Sequence, residues 1–183
     1  FTAKEAEILD LALVVHADHG GGNNSSFTNY VISSSGTDTY SAIAASIGSL
    51  KGPKHGGANQ KVLEMMEYIV REIGDNPSDE NIKDLLARMI KREAFDKSGL
   101  IYGMGHAVYT TSDPRALLFK EKAYELAEEK DVLEAFQLFS RIEELSKVVF
   151  RELKGENFVI CANVDFYSGL VYTMLEIPVE LFT

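Results

Sequence analysis

Residues 78–90 read Ser-Asp-Glu-Asn-Ile-Lys-Asp-Leu-Leu-Ala-Arg-Met-Ile. Ile82, Leu85, Leu86, Met89 and Ile90 recur at i, i+3, i+4, i+7 and i+8, which collects the apolar side chains on one helical face. Ser78 or Asp79 caps the start, after the turn Asp75-Asn76-Pro77.

The same pattern extends outward in both directions. Upstream, a helix over about 57–73 carries Val62, Met65, Met66 and Ile69 as its stripe. Before it, Asp38 caps a helix rich in small residues (Ala42, Ala44, Ala45, Ser46, Gly48) that stops at Gly52-Pro53. Small side chains let two helices approach closely, as at a subunit seam. Earlier still, helices are expected over 4–15, with Ile8, Leu9, Leu11 and Ala12 apolar, and over about 26–34, ending near Gly36. Downstream, 98–112 reads as an irregular loop. Asp113-Pro114 then supplies a cap with proline in the first turn of a helix reaching about Glu129. Asp131 opens a longer helix with Ala135, Phe139, Ile142, Leu145 and Val149 on one face, ending near Gly155. A short apolar run, 158–162, leads to Asn163-Val164-Asp165, and a last helix is expected over 166–176 before Pro178. The expectation is an all-α protein of about eight helices.

Composition narrows the classes. The chain has 183 residues, of which 45% are hydrophobic and 25% charged, a globular profile large enough for one good core. No apolar run reaches the roughly 18 residues of a membrane helix. With 18 basic against 28 acidic residues, the net charge of -10 argues against general nucleic-acid binding, though not against a small anionic substrate. The lone Cys161 rules out an internal disulfide framework and suits a reducing, cytoplasmic setting. Beginning at Phe1 without an initiator Met, the sequence reads as an excised piece.

Four segments carry candidate chemistry, and in three of them a histidine lies beside glycine, where backbone can approach a ligand closely. HADHGGGNNS (16–25) holds His16 and His19; GPKHGGAN (52–59) puts His55 at the start of a helix. There the dipole favours a neutral imidazole, able to donate to a carbonyl oxygen gaining charge. GMGHAVYTTSDPR (103–115) places His106 in a loop and Arg115 in the next helical turn, where a guanidinium can grip a carboxylate. NVDFYSG (163–169) puts Asp165 beside Phe166 and Tyr167; a carboxylate among apolar neighbours gains basicity, as suits a general base. Each signal has a bland reading, since glycines stop helices and aspartates cap them. His16 and His19 have an H-x-x-H spacing, but zinc needs three or four ligands and the other candidates lie far along the chain, so no metal site is assigned.

Taken together, in this order and at this spacing, the four segments resemble the citrate synthase family across most of the chain. The resemblance implies a helical fold with a complete small domain, 58–163, and parts of a large one, 1–57 and 164–183. It implies condensation of acetyl-CoA with oxaloacetate to give citrate and CoA. Asp165 would remove a methyl proton, His55 would hydrogen-bond the thioester oxygen, and His106 would polarise the keto group and protonate the new alcohol. His19 and Arg115 would hold oxaloacetate, and the backbone at Met104, Gly105 and His106 would lie against CoA. No tightly bound cofactor is implied beyond the CoA thioester as co-substrate. A homodimer is implied, with the helices at 39–51 and 57–73 at its seam.

This chain departs from the family pattern in three places. Gly20 stands where many relatives have an acidic residue, and Thr110 where some carry an arginine for the CoA phosphate. The later carboxylate-binding arginines would lie beyond Thr183, so these 183 residues alone are expected to be inactive or nearly so. Three competing readings are 2-methylcitrate synthase using propionyl-CoA, a non-catalytic helical oligomerisation module, and a small metal-binding helical protein.

Overall fold

The computed structural model describes residues 1–17, 23–52, 55–74, 76–106, 109 and 111–182. The chain is all-α, as the periodicity required: eight α-helices and one short 3-10 turn form its regular structure among the described residues. It divides into two compact units, Phe1–Ala58 and Asn59–Phe182.

The first unit contains α1 (Ala3–Ala17), α2 (Asn24–Ser34) and α3 (Thr39–Leu50). The Asn23 carboxamide oxygen accepts the Ser26 N–H at 2.8 Å, so α2 begins two residues before the expected start at Ser26. Asp38 caps α3 as expected, accepting the Ser41 N–H at 3.0 Å. α2 and α3 pack together, and Ile8, Ala12 and Ala42 are buried, while Phe27, Tyr30, Tyr40, Ile43 and Ile47 stay exposed.

The second unit is built from α4 (Ala58–Ile73), α5 (Asp79–Ile90), α6 (Pro114–Glu129), α7 (Leu133–Lys154) and α8 (Val164–Met174). The face read from α5 is the buried one: Ile82, Leu85, Leu86 and Met89 are all inside, packed toward α7. Ser78 is the cap, accepting the Asn81 N–H at 3.2 Å. α7 starts at Leu133 rather than Asp131, because Asp131 takes the left-handed φ of +56° that closes the turn after α6. Its buried face accordingly uses Leu138, Phe139, Ile142, Ser146 and Val149, and Ala135 points to water.

α8 is buried at nine of its eleven positions, so most of its surface is covered by the rest of its unit. It starts at Val164, two residues ahead of the expected 166, because Asn163 caps it by accepting the Asp165 N–H at 3.0 Å. The extended residues before it pair with the loop that follows α5. Met104 and Ala162 form an antiparallel bridge, the Gly105 N–H donates to the Cys161 carbonyl at 2.7 Å, and the Asn163 N–H donates to the Gly103 carbonyl at 2.8 Å. This two-residue ribbon brings the His106 loop to the N-terminus of α8.

Gly103 makes that pairing possible. Its φ is +77°, and a Cβ there would lie 2.8 Å from Cδ2 and 2.9 Å from Cα of Phe166. Gly103→Ala is therefore expected to destabilise the protein by about 1–3 kcal/mol from overpacking, with a further ~1–2 kcal/mol for the left-handed backbone. Urea unfolding measures the sum. A loss under about 1 kcal/mol would mean that the ribbon can slide away from α8.

Candidate active site

In the second unit, the first turn of α6 and the first turn of α8 meet the His106 loop. Asp113 caps α6, accepting the Arg115 N–H at 3.0 Å through Oδ1. The same carboxylate takes the Arg115 side chain in a two-pronged contact, Nε to Oδ1 at 3.0 Å and Nη2 to Oδ2 at 2.8 Å. Burial pushes the Asp113 carboxyl up, but the hydrogen bonds and charge of Arg115 outweigh it and hold the group below the usual carboxylate range. The Asp113 hydrogen bond in turn pushes the Arg115 guanidinium up, with a smaller contribution from the nearby Asp165 charge.

His106 sits against this pair. The Tyr109 backbone N–H donates to its Nδ1 at 3.0 Å, and the Tyr109 ring lies over the imidazole with centroids 4.7 Å apart. A neutral imidazole that accepts at Nδ1 carries its proton on Nε2. Nη2 of Arg115 lies 3.1 Å from that Nε2. Arginine only donates, so two N–H groups face one place. Both groups can donate to one oxygen-rich anion, one oxygen on the guanidinium and a neighbouring oxygen on the imidazole N–H.

Asp165 is half-buried in the first turn of α8, inside the helix rather than ahead of it. The dipole there favours negative charge. Asn163 ties Asp165 to the His106 loop, since its Oδ1 caps the Asp165 N–H while its Nδ2 donates to the Gly105 carbonyl at 2.8 Å. Gly105 thus has both backbone groups engaged, and Met104 is held by its bridge to Ala162.

His55 belongs to the first unit, in the turn before α4. The Ser25 backbone N–H points to its Nε2 at 3.3 Å, and the Ser25 hydroxyl lies 2.9 Å from the same atom. A backbone donor at Nε2 places the ring proton on Nδ1 in the neutral form. Nδ1 has no hydrogen-bond partner among the described residues. His16 has a local role: its Nδ1–H donates to the Ala12 carbonyl at 2.9 Å. The expectations for His19, Gly20 and Thr110 lie outside the described residues.

The second unit therefore brings together His106, Arg115 and Asp165 with Met104 and Gly105, and the first unit holds His55. Sequence reasoning left four positions without a role at the site: Ser25, Tyr109, Asp113 and Asn163. Asp113 was legible as a helix cap. Nothing in the sequence signalled that its carboxylate also holds Arg115 and reaches α8. Among the described residues no group of three or more His, Cys, Asp and Glu side chains is arranged to hold a metal.

Comparison with known proteins bears on the family and the fold. The family model described as citrate synthase, C-terminal domain, matches residues 1–183. The citrate synthase of Synechocystis sp. is 39% identical over 178 residues, covering 97% of this chain and 40% of that protein. The Helicobacter pylori citrate synthase is 40% identical over 186 residues, covering 100% of this chain and 40% of that protein. Among solved structures, citrate synthase from Pyrobaculum aerophilum superposes with a TM-score of 0.78 at 32% identity, covering 98% of this chain and 41% of that one. The Thermoplasma acidophilum enzyme, solved in a ternary complex with carboxymethyl coenzyme A and oxaloacetate, gives 0.68 at 29% identity, covering 97% and 42%. The chain thus spans about two fifths of the length of the relatives it matches.

Proposed function

This chain belongs to the citrate synthase family, and on that premise we propose that it supplies the reacting groups of an enzyme condensing acetyl-CoA with oxaloacetate. The observation that carries the reading is the 3.1 Å approach of Arg115 Nη2 to His106 Nε2. A 2-oxo acid presents a carboxylate oxygen and a keto oxygen on adjacent carbons, and so suits one guanidinium and one imidazole N–H side by side.

The chemistry follows from the groups in hand. The Asp165 carboxylate takes a proton from the acetyl methyl, and the electron pair moves into the thioester as an enol or enolate. The Nδ1–H of His55 stabilises the negative charge gathering on the thioester oxygen. The enolic carbon then attacks the keto carbon, whose oxygen is polarised by the Nε2–H of His106 and gains that proton to become the alcohol. Arg115 holds a carboxylate of oxaloacetate through N–H groups that Asp113 does not take. Water finally cleaves the thioester, releasing citrate and CoA. His19 is assigned to oxaloacetate, and Met104 and Gly105 to the CoA moiety. With both backbone groups of Gly105 engaged, its role toward CoA is one of surface contact.

The proposal extends to organisation. Residues 58–163 are assigned to the small domain and 1–57 to the large one, with 164–183 leading back toward the large one although α8 packs against α6 in the second unit. The protein works as a cytoplasmic homodimer, a reading supported by Tyr40, Ile43 and Ile47 exposed on α3. No helix among the described residues is long and apolar enough to cross a membrane.

The test is CoA release by the complete protein supplied with oxaloacetate and either acetyl-CoA or propionyl-CoA. Release that requires both substrates and is faster with acetyl-CoA supports the proposal. Preference for propionyl-CoA makes the enzyme a 2-methylcitrate synthase, and no release with either leaves a non-catalytic helical module.

A further inference from the structure

We infer that Asp113 is a positioning residue: one buried carboxylate sets the orientation of the Arg115 clamp and joins it to the helix that carries Asp165. The inference rests on the proposed role of Arg115 in holding the oxo acid.

Asp113 is 1% exposed and accepts four N–H groups. Oδ1 takes the backbone N–H and Nε of Arg115, each at 3.0 Å. Oδ2 takes Nη2 of Arg115 at 2.8 Å and the Val164 backbone N–H at 3.2 Å. An ionised carboxylate has about four lone-pair positions, so these four donors fill it. The planar fork of Arg115 is thereby locked along its Nε–Nη2 side, with Nη2 left at 3.1 Å from His106 Nε2. Val164 is the first residue of α8 and Asp165 the second, so the carboxylate that aims the clamp also grips the start of the helix bearing the base. A 51-residue separation between Asp113 and Val164 is bridged by one side chain.

An asparagine is nearly isosteric but offers one acceptor oxygen. Its NH2 group must face either the Nη2 and Val164 donors or the two Arg115 donors at Oδ1. The consequence is an Arg115 that is present, charged and misaimed.

The experiment compares Asp113→Asn, Asp113→Ser, Arg115→Gln and the Asp113→Asn/Arg115→Gln double variant in the complete protein. Oxaloacetate affinity is read by titration calorimetry and the acetyl-CoA KM by steady-state kinetics. Both Asp113 variants are expected to weaken oxaloacetate binding tenfold or more and to change the acetyl-CoA KM less than twofold. In the Arg115→Gln background, Asp113→Asn should weaken oxaloacetate binding by less than a further twofold, because its effect runs through the missing guanidinium. Equal losses for both substrates, unchanged oxaloacetate affinity, or full additivity in the double variant would each overturn the inference. So would failure of both Asp113 variants to fold, since Asp113 would then serve the fold alone. The reading of function fails separately, if wild-type protein given both substrates releases no CoA.

Discussion

Asp165→Asn is expected to lower kcat for condensation by about 10²–10⁴-fold, the range for losing a positioned general base, while leaving oxaloacetate affinity within twofold. The separation follows from where Asp165 sits. Its backbone N–H is held by the Asn163 cap, so the start of α8 keeps its geometry when the side chain changes. Asparagine occupies the same volume and cannot accept the methyl proton at neutral pH. Exchange of acetyl-CoA methyl protons with deuterated solvent, followed by NMR, isolates the step, and the variant should lose exchange as fully as turnover. If turnover drops less than tenfold, Asp165 is an ordinary first-turn residue and another group must act as base.

The second large effect concerns stability. Glu143→Gln is expected to cost about 3 kcal/mol, the lower end of the range for breaking a buried ion pair. Glu143 lies on α7 and is buried, yet it accepts from Lys120 on α6 at 2.7 Å, Lys147 at 2.7 Å and the Tyr167 hydroxyl on α8 at 2.6 Å. Glutamine keeps the shape but leaves two ammonium groups without their shared counter-charge. Lys147 retains Glu144 at 2.8 Å, and both lysines keep some contact with water, which places the estimate at the lower end. Burial pushes the Glu143 carboxyl up, but its bonds to Lys120, Lys147 and Tyr167 prevail and hold it below the ordinary value of 4.5. Burial, followed by the charge of Glu143, pushes the Tyr167 phenol far up, so it remains a neutral donor.

The sign of the pH dependence follows. A carboxyl whose folded pKa is depressed contributes stability in full above its unfolded value and loses it as pH falls through the folded one. The wild-type advantage over Glu143→Gln, measured by urea unfolding, should be constant near neutrality. It should shrink as pH drops below about 4.5. An advantage that does not change down to acid pH would show that the cluster contributes shape rather than charge.

Three of the four segments that carry the proposed site stand out because each sets a histidine (His19, His55, His106) beside glycine, a polar side chain on permissive backbone. The α5 face was legible because Ile82, Leu85, Leu86 and Met89 follow a period that chemistry does not disturb. α8 was harder. It is apolar on nearly every side, so periodicity carries no phase, and the pattern alone predicts a start two residues after the real one. Only the Asn163 cap, a hydrogen bond, sets Val164 as the first residue. The start of α7 differs from the expected one for a related reason: Asp131 has the chemistry of a cap but adopts a left-handed φ that ends one turn instead of opening the next helix.

By itself, then, the sequence determined the all-α class, the faces of the amphipathic helices, and the identity of the chemical groups at His55, His106, Arg115 and Asp165. Those properties are local: they depend on side-chain type and on neighbours within about two helical turns. The partners of those groups were decided by tertiary structure alone. Ser25 meets His55 across 30 residues, Asn163 meets Gly105 across 58, and Asp113 meets Val164 across 51. A hydrogen bond depends on distance and direction in space, and these are set only when Gly103 lets the ribbon close on Phe166 and α8 is buried in its unit.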